Sequence, residues 1–308
     1  MSPEPIERGE PGEPGEPGDA VELSVVIPAH DAEATLAQQL DALLAQSWDG
    51  RWEIVVVDNL STDQTRRVAD RYAERDERVR VVAAEERPRI GYARNTGIAA
   101  ARGRLIAMCD SDDVVAPGWV AAMGDALREH EFVAGALDVH TLNGPDIVAT
   151  RGLAIEREQT MFQGLFPIAH SCNVGFRRDV LDRIGGFAED LVNGSDVDIS
   201  HRAWLTGIDC FYAPGAVVAY RYRATSGALY RQARNYGRVN AQLVAKFRAA
   251  GTDVALQNDW RGWLWLGRKL PSLTNPSGRA NWLWSAGTRI GRLEGLWRHR
   301  DALRAGRS

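Results

Sequence analysis

The sequence predicts an α/β fold whose core is a mostly parallel β-sheet with helices on both faces. Between residues 23 and 109, short apolar runs alternate with segments of helical periodicity, and the connections between them are short. Each apolar run has the length of a buried strand and ends in polar residues. After residue 226 the pattern becomes helical only. The chain of 308 residues is long enough for one large domain, or for one domain with an appendage.

Four strands and three helices are predicted in the first part of the chain. The strands are predicted at 23–28, 52–58, 78–84 and 104–109, and the helices between them at 33–46, 63–74 and 91–103. Right-handed crossovers between parallel strands place such helices on both faces of the sheet.

In the second part of the chain, the sequence predicts more helix and a less regular alternation of strands and helices. Helices are expected at 119–129, 197–206 and 226–249, one or two strands at 131–155, a strand followed by a short helix at 171–187, and strands at 208–212 and 216–222. Paired glycines end the short helix, and Gly207 ends the helix predicted at 197–206.

Composition limits the class of protein. The net charge of −4 does not indicate nucleic-acid binding, and no run approaches the roughly 20 apolar residues of a membrane-spanning helix. The N-terminus lacks the apolar core of a signal peptide, so we expect a cytoplasmic protein, or one peripheral to the inner face of the membrane. Residues 1–20 contain three Gly-Glu-Pro triplets and predict a disordered acidic tail. Cys109, Cys172 and Cys210 lie in apolar contexts and predict buried free thiols.

The C-terminal end combines tryptophan with arginine. Six of the ten tryptophans follow residue 259, and residues 261–308 contain nine Arg and one Lys against Glu294 and Asp301. Two interpretations stay open. A Trp-rich helix packs on the body of the protein, or residues 258–300 make a peripheral contact with an anionic membrane surface.

The segment after the fourth strand carries the clearest chemical signal. Asp110, Ser111, Asp112 and Asp113 follow a buried strand, and three carboxylates within four residues repel one another unless a cation lies between them. They form either a site where Mg²⁺ or Mn²⁺ holds a phosphate, or a solvated acidic turn before the next helix.

Polar residues also follow the other three predicted strands. They are His30, Asp31 and Glu33 after the first, Asp58 and Asn59 after the second, and Arg94 and Asn95 beyond the third. Strand ends of a parallel sheet line a common crevice, so these groups can converge on one ligand. The first strand is not followed by a Gly-x-Gly-x-x-Gly motif, which argues against a dinucleotide-dependent oxidoreductase. The chain also has no Walker Gly-Lys-Ser/Thr motif, which argues against a P-loop nucleotide-binding protein.

Six segments in order resemble the family 2 glycosyltransferases of GT-A fold. They are SVVIPAHDAEATL (24–36), VVVDNLSTDQT (55–65), GYARNTGIAAARG (91–103), CDSDD (109–113) and the acceptor-side segments SCNVGFRRDVLDRIGGF (171–187) with GSDVDISHRAWLTG (194–207). The resemblance covers about residues 22–245. It implies a Rossmann-like mixed, mostly parallel sheet flanked by helices, with a helical C-terminal extension. The implied organisation is a tail at 1–20, a catalytic domain at 21–225 (nucleotide-binding half 21–115, acceptor half 116–225) and a Trp/Arg-rich extension at 226–308.

The resemblance also implies roles for individual residues. The donor nucleotide would be bound by Ala29, Asp31, Glu33, Asp58, Arg94, Asp110 and Ser111. Asp58 would contact the base, and Asp110 with Asp112 would hold Mn²⁺ or Mg²⁺ on the diphosphate. Asp196 would be the catalytic base, or alternatively the N-cap of its helix. Asp113 would either fix the loop or contact the donor sugar.

Two positions depart from the family pattern. Ser195 stands where the family usually has Glu, which leaves the acceptor contacts of that acid in doubt. Ala219 or Tyr220 stands where a metal-ligating His is often found, so the third metal ligand is not assigned.

The implied activity is inverting transfer from a UDP- or dTDP-sugar to a glycan, lipid-linked or small-molecule hydroxyl, in envelope polysaccharide, glycolipid or natural-product glycosylation. The alternatives are a catalytically silent binding protein of an envelope assembly and a nucleotidyltransferase, which would need a basic triphosphate loop that PAHDAE does not offer.

Overall fold

The computed structural model describes residues 20–145, 147–148, 158–223, 225–256 and 260–305. Apart from Ala20, the tail predicted at 1–20 lies outside these residues. The described residues fall into two compact units. The first contains those up to Asp138, those from 158 to Asp190 and Ser195–Tyr220, and the second contains those between Val139 and 148, Leu191–Gly194 and those from Arg221 onward.

The first unit is built on an eight-stranded sheet. Its strands are β1 (Leu23–Ala29), β2 (Trp52–Asp58), β3 (Val79–Ala83), β4 (Leu105–Cys109), β5 (Val114–Val115), β6 (Phe132–Asp138), β9 (Asn173–Arg177) and β10 (Cys210–Ala219), while β7 (Met161–Phe162) and β8 (Phe166–Pro167) form a separate hairpin. The order is β3-β2-β1-β4-β9-β6-β10-β5. Strand β9 runs antiparallel to β4 and β6, and β5 runs antiparallel to β10, whereas the other pairs are parallel. The mixed, mostly parallel sheet confirms the predicted fold class.

Among the described residues, six helices lie in the first unit, and four lie in the second besides the helical residues near Pro145. Those of the first are α1 (Leu36–Leu44), α2 (Thr65–Ala73), α3 (Ile90–Ala100), α4 (Trp119–Glu129), α5 (Arg178–Ile184) and α6 (Ser195–Leu205). Those of the second are α7 (Ser226–Ala249), α8 (Arg261–Arg268), α9 (Pro276–Arg298) and α10 (Arg300–Ala305), with a 3₁₀ turn at Leu270–Thr274. The predicted helical C-terminal extension is confirmed.

The strands are apolar on both faces because the sheet has a core on each side. Leu23, Val25 and Ile27 of β1 point into a cluster with the leucines of α1. Val26, from the same strand, points into the other cluster, which includes Ile98 of α3. Side chains alternate between the faces of a strand, so a strand covered on both sides shows a continuous apolar run.

The two strands predicted at 208–212 and 216–222 are one strand. The register of β10 shifts between Ala213 and Val217, which marks a bulge rather than a break. The buried Asn173 side chain stabilises the bulge, because its Nδ2 donates to the carbonyl of Ala216 at 2.8 Å and to that of Ala136 at 2.7 Å. The prediction of two strands was therefore wrong.

Of the one or two strands predicted at 131–155, the structure has β6. Pro145, Ile147 and Val148 are helical, and residues 149–157 lie outside the described part of the chain.

In the second unit, α7 and α9 pack through glycines. Gly287, Gly291 and Gly295 recur every four residues and so lie on one face of α9. A Cβ on Gly291 would stand 1.9 Å from the carbonyl oxygen of Arg234 in α7, so only hydrogen fits there. Glu294, on the same helix, is bound by the Arg234 guanidinium at 2.5 Å. In the described residues, no helix is long and apolar enough to cross a membrane.

We predict that Gly291→Ala destabilises the second unit, by about 1–3 kcal/mol, because the added methyl group can be placed only if the two helix backbones separate. The measurement is the free energy of unfolding, followed by the helical circular dichroism signal. The control is Gly267→Ala in α8, where no heavy atom lies within 4 Å of an added Cβ. That change should be neutral or stabilise by up to about 1 kcal/mol. Equal stability of both variants would contradict the prediction.

Candidate active site at the carboxyl edge of the sheet

The loops after β1 and β2 are hydrogen-bonded to each other. The Asp31 carboxylate accepts from the Thr62 amide at 2.7 Å, and the Glu33 carboxylate accepts from the Gln64 amide at 2.9 Å. The hydrogen bond from Thr62 lowers the pKa of Asp31. Asp31 has φ of 47°, a left-handed conformation that is uncommon outside glycine. Asp31 and Glu33, both predicted to bind the donor, therefore join the loops after β1 and β2.

Asp58 and Ala29 end neighbouring strands. They are register partners in the β1–β2 pair, and the Asp58 side chain is half-buried. The next residue, Asn59, fixes the loop after β3, because its Nδ2 donates to the carbonyls of Ala84 at 2.6 Å and Arg87 at 2.8 Å. Sequence reasoning placed Asn59 at this edge but did not assign it this structural role.

Arg94 is the central side chain of the site. It extends from α3, is 5% exposed, and lies with its Cζ 5.3 Å from the centroid of the Phe187 ring. Its Nη1 donates to the Ser195 hydroxyl at 3.1 Å, and its Nη2 is 3.3 Å from the Asp110 carboxylate. One guanidinium thus connects the end of β4 to the first residue of α6.

Helix α3 is held in place by the residue after Arg94. The Asn95 side chain exchanges hydrogen bonds with the backbone of Phe187, accepting at 2.8 Å and donating at 2.9 Å, and it also donates to Glu189 at 2.8 Å. These contacts fix the position of the guanidinium, because Arg94 is on the same turn of helix.

Gln39 orients the acidic turn and was missed in the sequence. It is fully buried in α1, donates to the backbone carbonyl of Asp110 at 3.1 Å, and accepts from the amide of Val115 at 2.9 Å. A glutamine among the buried leucines of an amphipathic helix was the available signal, since a buried amide must find hydrogen-bond partners.

The carboxylates of the turn lie in an environment that favours a cation. Burial raises the pKa of Asp110, the charge of Arg94 opposes this, and the charges of Asp112 and Asp196 add to the rise. Ligand atoms of Asp110, Asp113 and Cys172 lie within 4.8 Å of one another, and Asp113 is 1% exposed. Two carboxylates suit a hard divalent ion, so the residues fit Mn²⁺ or Mg²⁺.

This group differs from the predicted metal pair. The prediction paired Asp110 with Asp112, whereas the group with metal-ligating spacing among the described residues joins Asp110 to Asp113 and Cys172. The charge of Asp112 nevertheless acts on Asp110. Burial raises the pKa of the Cys172 thiol well above its ordinary value. All three cysteines are free, and Cys109 and Cys172 are buried as predicted, whereas Cys210 is half-buried.

Asp196 lies in the first turn of α6, next to the serine that Arg94 contacts. One of its oxygens accepts from the amide of Val197 at 2.9 Å, and the other is 3.8 Å from Nδ1 of His170. Burial acts to raise the pKa of Asp196, but His170 and Arg94 outweigh it and hold the pKa below its usual range. The other ring nitrogen of His170 lies 3.1 Å from the Thr160 hydroxyl.

The structure therefore brings Arg94, Asp110, Ser195 and Asp196 together. Ser111 is buried in the same turn. Asp58 ends β2, which is separated from β4 only by β1, so its strand end is about 10 Å away. Sequence reasoning did not include His170, which is distant from Asp196 along the chain.

Comparison with known proteins identifies the family. The model of glycosyl transferase family 2 matches residues 24–185, and that of glycosyl transferase family group 2 matches residues 105–273. The chain therefore belongs to glycosyl transferase family 2.

Two curated relatives illustrate the range of the family. A probable glycosyltransferase of Bacillus subtilis, YdaM, is 28% identical over 79% of this chain, which spans only 61% of that relative. A UDP-Glc:alpha-D-GlcNAc-diphosphoundecaprenol beta-1,3-glucosyltransferase of Escherichia coli is 33% identical over 60% of this chain and 68% of the relative.

A solved structure confirms the fold. The mannosyltransferase of Pyrobaculum calidifontis, in complex with GDP-Man and Mn²⁺, has a TM-score of 0.58 at 19% identity and covers 92% of this chain and 91% of its own. The GT-A fold of the chain is thereby established.

We predict that Arg94→Met destabilises the first unit by about 1–3 kcal/mol, because Asp110, whose side chain is 29% exposed, loses its hydrogen-bond partner and its compensating charge. The measurement is chemical denaturation of each variant. Arg66→Met is the matched control, since Arg66 forms an exposed ion pair with Asp70 at 2.9 Å. It should cost less than about 1 kcal/mol. A similar small loss for Arg94→Met would show that its contacts contribute little.

Proposed function

We propose that this protein transfers a glycosyl group from a nucleoside-diphosphate sugar to a hydroxyl acceptor, with inversion at the anomeric carbon. The observation that carries the proposal is the contact of Arg94 with both Asp110 and Ser195. It places the residue expected to bind the diphosphate beside the helix turn that carries Asp196. The proposed catalytic part is residues 21–225, with the donor bound by 21–115 and the acceptor by 116–225.

The donor is proposed to bind along the carboxyl edge of β1, β2 and β4. Asp58 can accept hydrogen bonds from the base, and the hydrogen-bonded loops at Ala29–Glu33 enclose the nucleoside. Arg94 can contact the diphosphate, because its fork geometry matches phosphate oxygens. UDP or dTDP is the proposed nucleotide; the name of the E. coli relative includes UDP-Glc, whereas the solved mannosyltransferase is in complex with GDP-Man.

Asp110 and Asp112 are proposed to hold Mn²⁺ or Mg²⁺, with Asp113 close enough to take part. When bound, such an ion offsets the negative charge that develops on the leaving diphosphate. Arg94 contributes to the same end, since its guanidinium is buried and fixed before the donor arrives.

Asp196 is the proposed general base. Its lowered pKa keeps the carboxylate ionised at neutral pH, ready to take the proton of the acceptor hydroxyl. Such a base contributes roughly 10²–10⁴-fold in rate. One base acting opposite the leaving group leads to inversion. The acceptor is proposed to be a glycan, a lipid-linked sugar or a small-molecule hydroxyl, consistent with the diphosphoundecaprenol named in the E. coli relative.

We predict that Asp196→Asn and Asp112→Asn separate catalysis from donor binding. Asp196→Asn should retain Mn²⁺-dependent binding of UDP and lose turnover by roughly 10²–10⁴-fold, because only the base is removed. Asp112→Asn should lose the Mn²⁺-dependent part of UDP binding. The measurements are calorimetric titration with UDP, and UDP release from UDP-glucose, with a parallel screen of dTDP- and GDP-sugars.

Asp70→Asn, in the exposed pair with Arg66, is the control and should change neither quantity. Wild-type protein that binds nucleotide but never turns over any donor would instead favour a catalytically silent binding protein. Undiminished turnover by Asp196→Asn would remove this residue from the mechanism.

The pH dependence of turnover should change when His170 is replaced. In the wild type, the depressed pKa of Asp196 places the acid limb of the pH profile below the usual carboxylate range. In His170→Gln the charge of the imidazole, 3.8 Å from the Asp196 carboxylate, is lost, so the pKa of Asp196 should rise and the acid limb should move to higher pH. The measurement is UDP release from UDP-glucose as a function of pH.

His130→Gln serves as the control for this pH series, because His130 stacks on Phe211, with ring centroids 3.8 Å apart. Its profile should superimpose on that of the wild type. An unmoved acid limb in His170→Gln would refute the proposed electrostatic role of His170.

A further inference from the structure

Helix α8 presents its larger apolar side chains to solvent. Its buried residues are Gly262 and Leu266, which lie against α9. A Cβ on Gly262 would stand 2.0 Å from the Arg289 guanidinium, and the Leu266 carbonyl accepts from the Trp282 indole at 2.9 Å. The inner face is therefore small and fully packed. The exposed apolar side chains, here named the aromatic face, are Trp260, Trp263, Leu264, Trp265 and Leu270.

The exposure of this face is substantial. Trp260 is 67% exposed, Leu264 is 50% exposed and Leu270 is 52% exposed. Single exposed apolar residues are ordinary, but five within eleven consecutive residues are a concentration of exposed apolar side chains, and such concentrations mark interaction sites. The helix cannot cover them by rotating, because its opposite side is fixed against α9.

The residues around the aromatic face are basic. Arg261, Arg268 and Lys269, which are close to its members in sequence, are exposed, and no carboxylate among the described residues pairs with any of them. From residue 260 to residue 293 the sequence contains six Arg or Lys and neither Asp nor Glu. This segment, which lies between Asp259 and Glu294, therefore carries a formal charge of +6 in a chain whose net charge is −4.

Tryptophan flanked by arginine and lysine matches the chemistry of a lipid–water boundary. Indole rings are favoured at the headgroup level, where an apolar ring and a polar N–H are both accommodated, and basic side chains bind phosphate groups. A second copy of this chain would be a poor occupant, because pairing two such faces would bring like charges together. An anionic leaflet instead supplies the complementary charge.

We propose that the aromatic face is a docking surface for membranes containing anionic phospholipid. The indoles of Trp260, Trp263 and Trp265 insert at the headgroup level, and Arg261, Arg268 and Lys269 bind lipid phosphates. At eight residues α8 is about 12 Å long, so it lies in the interface and does not span the bilayer. This surface is independent of the glycosyl transfer proposed above.

The test is flotation of the full-length protein with vesicles. Phosphatidylcholine vesicles containing phosphatidylglycerol are compared with pure phosphatidylcholine at low and at physiological salt. The wild type should float with the anionic vesicles, less at the higher salt, and weakly or not at all with the neutral ones. Trp263→Ser/Trp265→Ser should lower the apparent affinity by at least about tenfold. Arg268→Glu/Lys269→Glu should lower it by at least about twentyfold and abolish the preference for anionic lipid.

The control is Trp204→Ser in the first unit, because Trp204 is 39% exposed and thus matches Trp263 and Trp265, each 38% exposed. It should float like the wild type. Quenching of wild-type tryptophan fluorescence by brominated lipid gives a readout that needs no variant, and a protein docked as proposed should be quenched. Failure of the wild type to bind anionic vesicles, or equal binding by the Trp263→Ser/Trp265→Ser variant, would overturn the proposal. So would self-association that this variant abolishes, since the face would then be an interface between copies.

Discussion

The first unit depends on a buried guanidinium among carboxylates. Three aspartates after β4 and a fourth at the start of α6 lie close enough to influence one another, and burial makes their mutual repulsion costly. Arg94 meets this cost by contacting both segments at once, and Asn95 and Gln39 fix the backbone on either side. The repulsion that remains among the carboxylates is what the divalent cation proposed above would offset.

The local part of this arrangement could be predicted from the sequence. Strand β2, helix α4 and helix α7 have the predicted bounds, because each has a strong pattern of its own: an uninterrupted β-branched run, an amphipathic helix after Pro-Gly, and a long helix that begins at a Thr-Ser pair. The acidic turn and the order of the motifs were also visible. Both are encoded within a few consecutive residues.

The rest depends on contacts between residues distant in sequence. Gln39 and Asp110 are 71 positions apart, and no periodicity connects them. His170 lies in the loop before β9, where the sequence pattern shows no functional signal. Only the fold brings its ring close to Asp196. The bulge in β10 could not be distinguished from a loop in the sequence, because a Pro-Gly pair such as Pro214-Gly215 usually ends a strand. Here the buried Asn173 side chain donates a hydrogen bond to the bulged backbone, where the pairing with β6 is interrupted.

The glycine contact between α7 and α9 has a consequence for how this part of the chain can be exchanged. At Gly291 the two helices meet backbone to backbone, so their separation there is set by both sequences together. A chimera with a related protein should therefore inherit α7 and α9 as a pair. Transplanting either one alone would bring an ordinary side chain against a surface that accepts only hydrogen.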